Sequence, residues 1–586
     1  MAHAHADACL MADPLRLLAD RLAPAFAAVA GVSADPVVRA SDRADAQANG
    51  ALALAKTLGR NPREVAEAVV ATADLADLVA TTEIAGPGFI NVTFRDDALA
   101  SLLAGVAAGP RLGARPAPAA ETVVVDYSAP NVAKEMHVGH LRSTVIGDAL
   151  VRMLEFVGHR VVRENHLGDW GTPFGMLIEH LLDLGETEAS RELSVGDLDG
   201  FYKQASAKFR NDPAFADRAR ARVVLLQGGD PETLRLWREL VDESTRYFDQ
   251  VYELLDVLLT DDDLAGESRY DPLLPEVLRR LEAAGLLAHS EGADVVWVPG
   301  FENREGEPLP LIVRKAGGGF NYATSDLACV MDRVERIGAT LLLYVVGAPQ
   351  AQHFQMVFSV AEMAGWLRPP ARAVHVAFGS ILGTDRKMLR SRSGAVLKLV
   401  DLLEEAIARA DAAVRDKNPE LPEERRRDVA RAVGSRPVQY ADLSPDQVRD
   451  YVFDWDRMLA FDGNTGPYLQ YAHARIRSIF RRGELDPASV RGVRPVLGVP
   501  QERALGLALL GFDGAVADAL DTFQPHRLST YLFDLATRFT EFYEACPVLR
   551  ADSDEQRASR LALCDLTARV LASGLGLLGI RAPDEM

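Results

Sequence analysis

"TVVVDYSAPNVAKEMHVGHLRSTVIGDAL", Thr122–Leu150, is the stretch from which the rest of the chain is read. Its start is a compact apolar run rich in β-branched residues, the pattern of a strand buried on both faces of a parallel sheet. Further on, apolar side chains recur at helical spacing: Leu141, Val145, Ile146, Ala149, Leu150, Met153, Leu154 and Val157. "VGHRVVRENHLGDWG", Val157–Gly171, reads as a second strand. Strand, helix and strand within roughly 45 residues form a βαβ unit, which predicts a doubly wound α/β sheet.

Lys134, His137, Gly139 and His140 lie between that strand and that helix. Ligands of open α/β sheets bind beyond the carboxyl ends of the strands. The helix N-terminus there offers free N–H groups and the positive dipole end to a phosphate. Two imidazoles can donate to phosphate oxygens, Lys134 adds a point charge, and a glycine lets a nucleotide ring approach the backbone. His-x-Gly-His by itself leaves a second reading open, two unrelated histidines on a turn.

The chain has 586 residues, too many for one core, and about three or four domains are expected. Its 48% hydrophobic and 25% charged residues are the balance of a soluble globular protein. No apolar run approaches the roughly 20 residues of a membrane span. The start, "MAHAHADACLMADPLRLLADRL", lacks a basic region and an unbroken apolar core, so no secretion signal is expected. Cys9, Cys329, Cys546 and Cys564 form no CxxC pair. Neither protein-bound zinc nor a disulfide framework is expected, and a reducing cytoplasm fits. A net charge of −20 argues against holding nucleic acid by bulk charge but leaves room for a local basic face. "ERRRDVARAVGSR" from Glu424 and "HARIRSIFRR" from His473 are each a solvated helix face or an RNA contact.

Residues 1–112 are alanine-rich and end in a Gly/Pro turn, a strand at Phe89–Phe94 and a helix. "GPRLGARPAPAAE", Gly109–Glu121, reads as a linker. Residues 186–260 read as charged helices without strands. Strand patterns return at "GADVVWVP", "TLLLYVVGAP" and "RAVHVAFGSI", and after Leu397 nearly everything reads as helix.

"SAPNVAKEMHVGHLRSTVIGD" closely resembles the signature of the arginyl-tRNA synthetases. "NHLGDWGTPFGMLI", "NYATSDLA", "YVVGAPQAQHFQMVF", "NTGPYLQYAHARI" and the ending "LLGIRAPDEM" resemble segments of that family in the family's order. The resemblance runs from about residue 36 to residue 586. It implies a multidomain α/β protein. An α+β N-terminal domain (1–112) would bind the tRNA elbow, and a Rossmann-like class I catalytic domain (113–440) would carry a helical insertion near 186–260. An all-α domain (441–586) would bind the anticodon.

The chemistry implied is attack of the arginine carboxylate on the α-phosphate of ATP, then transfer of the arginyl group to tRNA. Catalysis would be positioning plus charge stabilisation, with no protein nucleophile. His137 and His140 would serve the triphosphate and Gly139 the adenosine, with Mg2+ arriving on ATP. The family's second lysine signature is degenerate here, "DRKMLRSRSG" (Asp385–Gly394). The resemblance therefore gives the missing lysine's work to Lys134, and Arg390 and Arg392 are either candidates for the loop's remaining cationic work or a solvated basic turn. A guanidinium is a planar five-donor fork and calls for carboxylate acceptors. Matching the motifs puts Asp126, Tyr322 and Asp326 around it, with Asn131 and Gln350 at the α-amino and carboxylate end. Asp126 stands where relatives often have glutamate, and is either a ligand or a support for the turn. His353 and the backbone near Val376 would join the nucleotide pocket. Phe89 and Asn91 match positions that stack on and bond a base of the D-loop, although Phe89 could equally fill its own core. Tyr468, Tyr471, His473 and Arg475 share one helix, with Tyr471 and Arg475 expected on one face toward RNA and some of the four in the core. The partners implied are tRNA(Arg), L-arginine and ATP, for a cytoplasmic monomer with no membrane association.

Overall fold

The structure is a computed structural model describing residues 12–185, 198–387, 389, 397–417, 420 and 422–586. Arg390 and Arg392 lie outside the described residues. The chain divides into two compact units. One comprises the residues up to Ala117 with Phe461–Leu577 and Arg581–Met586; the other comprises Pro118–Ala460 with Leu578–Ile580. Several helices in both begin the same way. Asp13, Asn61, Asp212 and Asp230 are N-caps whose carboxylate or amide oxygens accept backbone N–H groups, each followed by proline at the first helical position. The caps satisfy orphan donors and proline's fixed φ suits the first turn.

The first unit holds an antiparallel sheet of β1 (Val38–Ala40), β2 (Ala46–Ala48), β3 (Val79–Ala85) and β4 (Phe89–Phe94), in the order β1-β2-β4-β3. The turn between β3 and β4 needs Gly88, at φ 133°, because a Cβ there would lie 2.7 Å from the Pro62 carbonyl oxygen. The same unit contains the helices Gly466–Arg482, Pro500–Leu510, Phe512–Thr522, His526–Ala545 and Asp554–Leu577. Arg503 ties these helices to the sheet module: its guanidinium donates to Asp45 Oδ2 at 2.7 Å, to Asp96 Oδ1 at 2.7 Å and to the Phe94 carbonyl at 2.9 Å. Asp45 in turn accepts the Phe94 N–H at 2.7 Å. Hydrogen bonds to charged groups are each worth about 1.5–3 kcal/mol. Arg503→Ala is therefore expected to destabilise this unit by about 2 kcal/mol, read as a lower urea midpoint of the full-length chain.

The second unit is built on β5 (Thr122–Asp126), β6 (Arg160–Glu164), β10 (Leu341–Gly347) and β11 (Arg372–Phe378). All are parallel, in the order β11-β10-β5-β6. Val123, Val124 and Val125 are completely buried, as the apolar run requires. The strand order reverses between β5 and β10, which makes the carboxyl ends of these two strands the binding crevice. Between β6 and β10 the chain forms the helices Leu198–Asn211, Pro213–Gln227 and Pro231–Leu255 and a second, antiparallel sheet. That sheet comprises β7 (Leu287–Ser290), β8 (Ala293–Glu302) and β9 (Pro308–Arg314). No helix among the described residues is long and apolar enough to cross a membrane.

Candidate active site

β5 ends at the switch point and the chain turns into the helix Val138–Phe156. The turn contains three non-glycine residues with left-handed backbone, Ser128 (φ 71°), Ala129 (φ 49°) and Ala133 (φ 60°). For residues with a Cβ this region costs about 1–2 kcal/mol each. The helix packs so closely on the turn that a Cβ at Gly147 would lie 2.3 Å from that of Tyr127.

His137 is the N-cap of the helix. Its Nδ1 accepts the Gly139 N–H at 3.0 Å, and the Nδ1 of His140 accepts the His137 N–H at 3.1 Å, a reciprocal capping box. Each neutral ring therefore carries its proton on Nε2 and keeps that N–H to give to a ligand. The ring centroids are 4.1 Å apart. Burial lowers the pKa of His137; Asp199 acts against this and Lys134 adds to it. Burial, reinforced by His137, brings His140 down to about 4. The pair thus meets a ligand near neutral pH as hydrogen-bond donors rather than cations.

Stability should depend on pH accordingly. Unfolding raises His140 from about 4 to its ordinary 6.5, so the unfolded chain binds more protons between these values. The contribution is present above pH 6.5 and is lost as the pH falls toward 4. Urea titrations at pH 7.5, 6 and 5 are expected to show a smaller acid-side loss in His140→Asn than in the parent chain.

Within the motif itself Gly139 leaves room for the His137 ring. A Cβ there would stand 2.7 Å from Cε1 and 2.8 Å from Nδ1 of His137, so the missing side chain is what lets that imidazole fold back over the helix end. Gly139→Ala is expected to displace the His137 ring and lower kcat about tenfold, about 1.4 kcal/mol, with little change in melting temperature.

The segment after the degenerate loop is bonded to the histidine motif. Val138 N–H donates to the Leu397 carbonyl at 3.1 Å and Leu399 N–H to that of Met136 at 2.8 Å. Lys398 Nζ meets Glu135 Oε2 at 2.6 Å. Lys134 places its ammonium 4.6 Å from the ring centroid of Tyr202.

A second cluster forms across the crevice. Tyr322 and Asp326 lie one turn apart on the helix Tyr322–Glu335, as their spacing predicts. His353 Nε2–H donates to Asp326 Oδ2 at 2.6 Å, and its ring is 4.8 Å from that of Tyr322. His353, expected with the nucleotide, thus stands with Tyr322 and Asp326, the residues expected around the guanidinium. Glu267, which the sequence reading missed, lies within electrostatic reach of Asp326. Its carboxyl pKa is raised, by burial first and also by Asp169 and Asp326, with His166 opposing. Glu267 is carried beside the extension of β6, where its N–H donates to the Leu167 carbonyl at 3.0 Å. No periodicity could reveal a pairing across the whole helical insertion. Among the described residues no lysine or arginine forms an ion pair with Asp326 or Glu267; His353 is the basic side chain bonded to Asp326.

Asp126 is placed differently from its expected role as a substrate ligand. It is buried at the end of β5, where its Oδ2 accepts from Arg333 NH2 at 2.7 Å. Arg333 Nε donates to Glu164 Oε2 at 2.6 Å, and the guanidinium lies 4.9 Å from the Tyr344 ring centroid. One oxygen of Asp126 is thus already paired with an internal guanidinium rather than with the turn. The helix that presents Tyr322 and Asp326 is fixed to β5 and β6 through the same Arg333. Asn131 and Gln350 are exposed at the crevice ends of their segments. Val376 is buried in β11, the edge strand, which has a sheet partner on one side only.

The RNA candidates separate by burial. Phe89 is half-buried. Asn91 is buried, and its Oδ1 accepts from Gln47 Nε2 at 2.8 Å, which braces β2 against β4. Tyr471 is exposed. Arg475 stacks 4.3 Å from the Tyr543 ring centroid, Tyr468 packs on Phe533, and His473 is core, bonded to the Pro583 carbonyl at 2.9 Å.

The catalytic domain of the class I tRNA synthetases (R) matches residues 106–455. The arginyl tRNA synthetase N terminal domain matches 16–94 and the DALR anticodon binding domain matches 469–586. The arginine–tRNA ligase of Thermobifida fusca is 55% identical over 579 residues, covering 98% of this chain and 100% of that protein. The arginyl-tRNA synthetase of Plasmodium falciparum superposes with a TM-score of 0.85 at 27% identity, covering 98% and 99% of the two chains. That of Thermus thermophilus does so with 0.82 at 27% identity, covering 98% and 100%. The chain belongs to the arginyl-tRNA synthetase family.

Proposed function

We propose that the chain joins L-arginine to tRNA(Arg) with ATP, through an enzyme-bound arginyl-adenylate. A carboxylate oxygen of arginine attacks the α-phosphorus, the bond to the β-phosphate breaks, and pyrophosphate leaves. A terminal ribose hydroxyl of the tRNA then attacks the arginyl carbonyl and AMP leaves. His137 and His140 donate Nε2–H to phosphate oxygens as charge develops there. Lys134 replaces the signature lysine missing from the degenerate loop, with Arg390 and Arg392 carrying the loop's remaining cationic work. Asp326 and Glu267 take the guanidinium beside Tyr322 and His353, and a fork of donors fits two carboxylates better than an ammonium does. Asn131 and Gln350 hold the α-amino and carboxylate end, and Val376 lies beside the adenine. Mg2+ enters with ATP, held by phosphate oxygens and water. Phe89, Tyr471 and Arg475 face the tRNA, and the enzyme works as a monomer in the cytoplasm.

The observation that carries this reading is the meeting, at one switch point, of the two histidine donors with Asp326, which stands beside Tyr322 and His353 and has no lysine or arginine partner among the described residues. Pyrophosphate exchange with tRNA present tests it. Label is expected to enter ATP with arginine and not with lysine, glutamine or glutamate. Exchange driven by one of those three, or none with tRNA bound, would overturn the reading.

A further inference from the structure

We propose that Ser244 and Tyr252, on the helix Pro231–Leu255, are positioning residues of the reaction: their hydroxyls hold the left-handed turn that sets Lys134, His137 and His140. The inference rests on the function proposed above. Both N–H groups of the left-handed alanines meet acceptors from outside the motif, that of Ala129 being shared with the Tyr127 carbonyl at 3.0 Å within the turn. Ala133 N–H donates to Ser244 Oγ at 2.9 Å, and Ser244 donates onward to the Leu240 carbonyl at 2.7 Å. Ala129 N–H donates to Asn165 Oδ1 at 3.1 Å, which fixes the orientation of that amide. Its Nδ2 then donates to the Tyr252 hydroxyl at 2.9 Å, leaving the Tyr252 proton for Ser128 Oγ at 2.8 Å. Ser128, Ala133, Asn165, Ser244 and Tyr252 are all buried, so water cannot replace a lost hydroxyl.

Residues with a Cβ stay in the left-handed region only where their surroundings hold them there. Removing either hydroxyl leaves a buried polar group without its partner and lets the turn relax toward ordinary backbone. The histidines move with it, because His137 caps the helix that the turn enters. A group that acts through donors to the transition state changes kcat, while arginine binding at the opposite wall is untouched.

The test compares full-length Tyr252→Phe and Ser244→Ala with the parent in arginine charging of tRNA. Each is expected to lower kcat tenfold or more with the arginine KM within threefold. Ala129→Gly added to Tyr252→Phe, and Ala133→Gly added to Ser244→Ala, are expected to recover at least threefold, since glycine adopts the same backbone without strain. Deuterium uptake of residues 127–136, measured without substrate, should rise in both single variants. An unchanged kcat, a rise confined to the arginine KM, no recovery with glycine, or unchanged uptake would each overturn the proposal. Tyr252→Phe preserves shape and decides alone if Ser244→Ala does not fold. A parent chain that charges no arginine would refute the functional reading instead, and the uptake result would still decide the turn.

Discussion

Asp326→Asn is expected to raise the arginine KM by roughly a hundredfold or more. Truncating one partner of a close, desolvated charge pair costs about 2–5 kcal/mol, and each 1.4 kcal/mol is tenfold. Asp326 meets this condition: its carboxylate is held by His353 at 2.6 Å, lies close enough to Glu267 to raise that carboxyl, and has no resident arginine or lysine among the described residues. Asparagine keeps the shape and removes the charge. A guanidinium would then sit beside one carboxylate instead of two, while an uncharged competitor such as glutamine would lose far less. Michaelis constants for arginine, with the melting temperature as control, check this. An arginine KM within threefold of the parent would remove Asp326 from the recognition site.

His140→Ala is expected to lower kcat by about 10²–10³, the range for loss of one preorganised donor to developing charge, with the arginine KM nearly unchanged. The variant removes Nε2–H and also the acceptor of the His137 N–H. His137 then loses one half of the capping box and its own aim. Pre-steady-state measurement of adenylate formation separates this from slow product release. A kcat within fivefold of the parent would mean that the pair caps a helix and does nothing more.

The parallel sheet was legible because β5, β10 and β11 are apolar runs bounded by turn residues, and buried strands announce themselves that way. The helical insertion and the C-terminal helices were legible from composition and spacing. β3 was not, since "VATTEIA" is exposed along its middle and carries no alternation. β7 and β9 were also missed. β7 is four residues long, and "PLPLIVR" carries two prolines that argue against a strand until its place at the edge of β8 is known.

In the site, residues adjacent in sequence were legible and those assembled across the fold were not. The pairing of His137 with His140, and of Tyr322 with Asp326, follows from helix geometry. Glu267 gives no local signal, because its position depends on a segment returning beside β6 after the insertion. Asp126 was left open between ligand and support because nothing local shows that Arg333, two hundred residues on, donates to its Oδ2. Asn91 is the same kind of case, a polar strand residue whose partner, Gln47, lies on the neighbouring strand.

Transfer of labelled arginine to tRNA with ATP and magnesium, with lysine, glutamine and glutamate in parallel and His140→Ala as control, tests the central claim most directly. Charging with arginine alone, lost in the variant, is the result predicted. Charging with another amino acid, or tRNA binding without any charging, would contradict it.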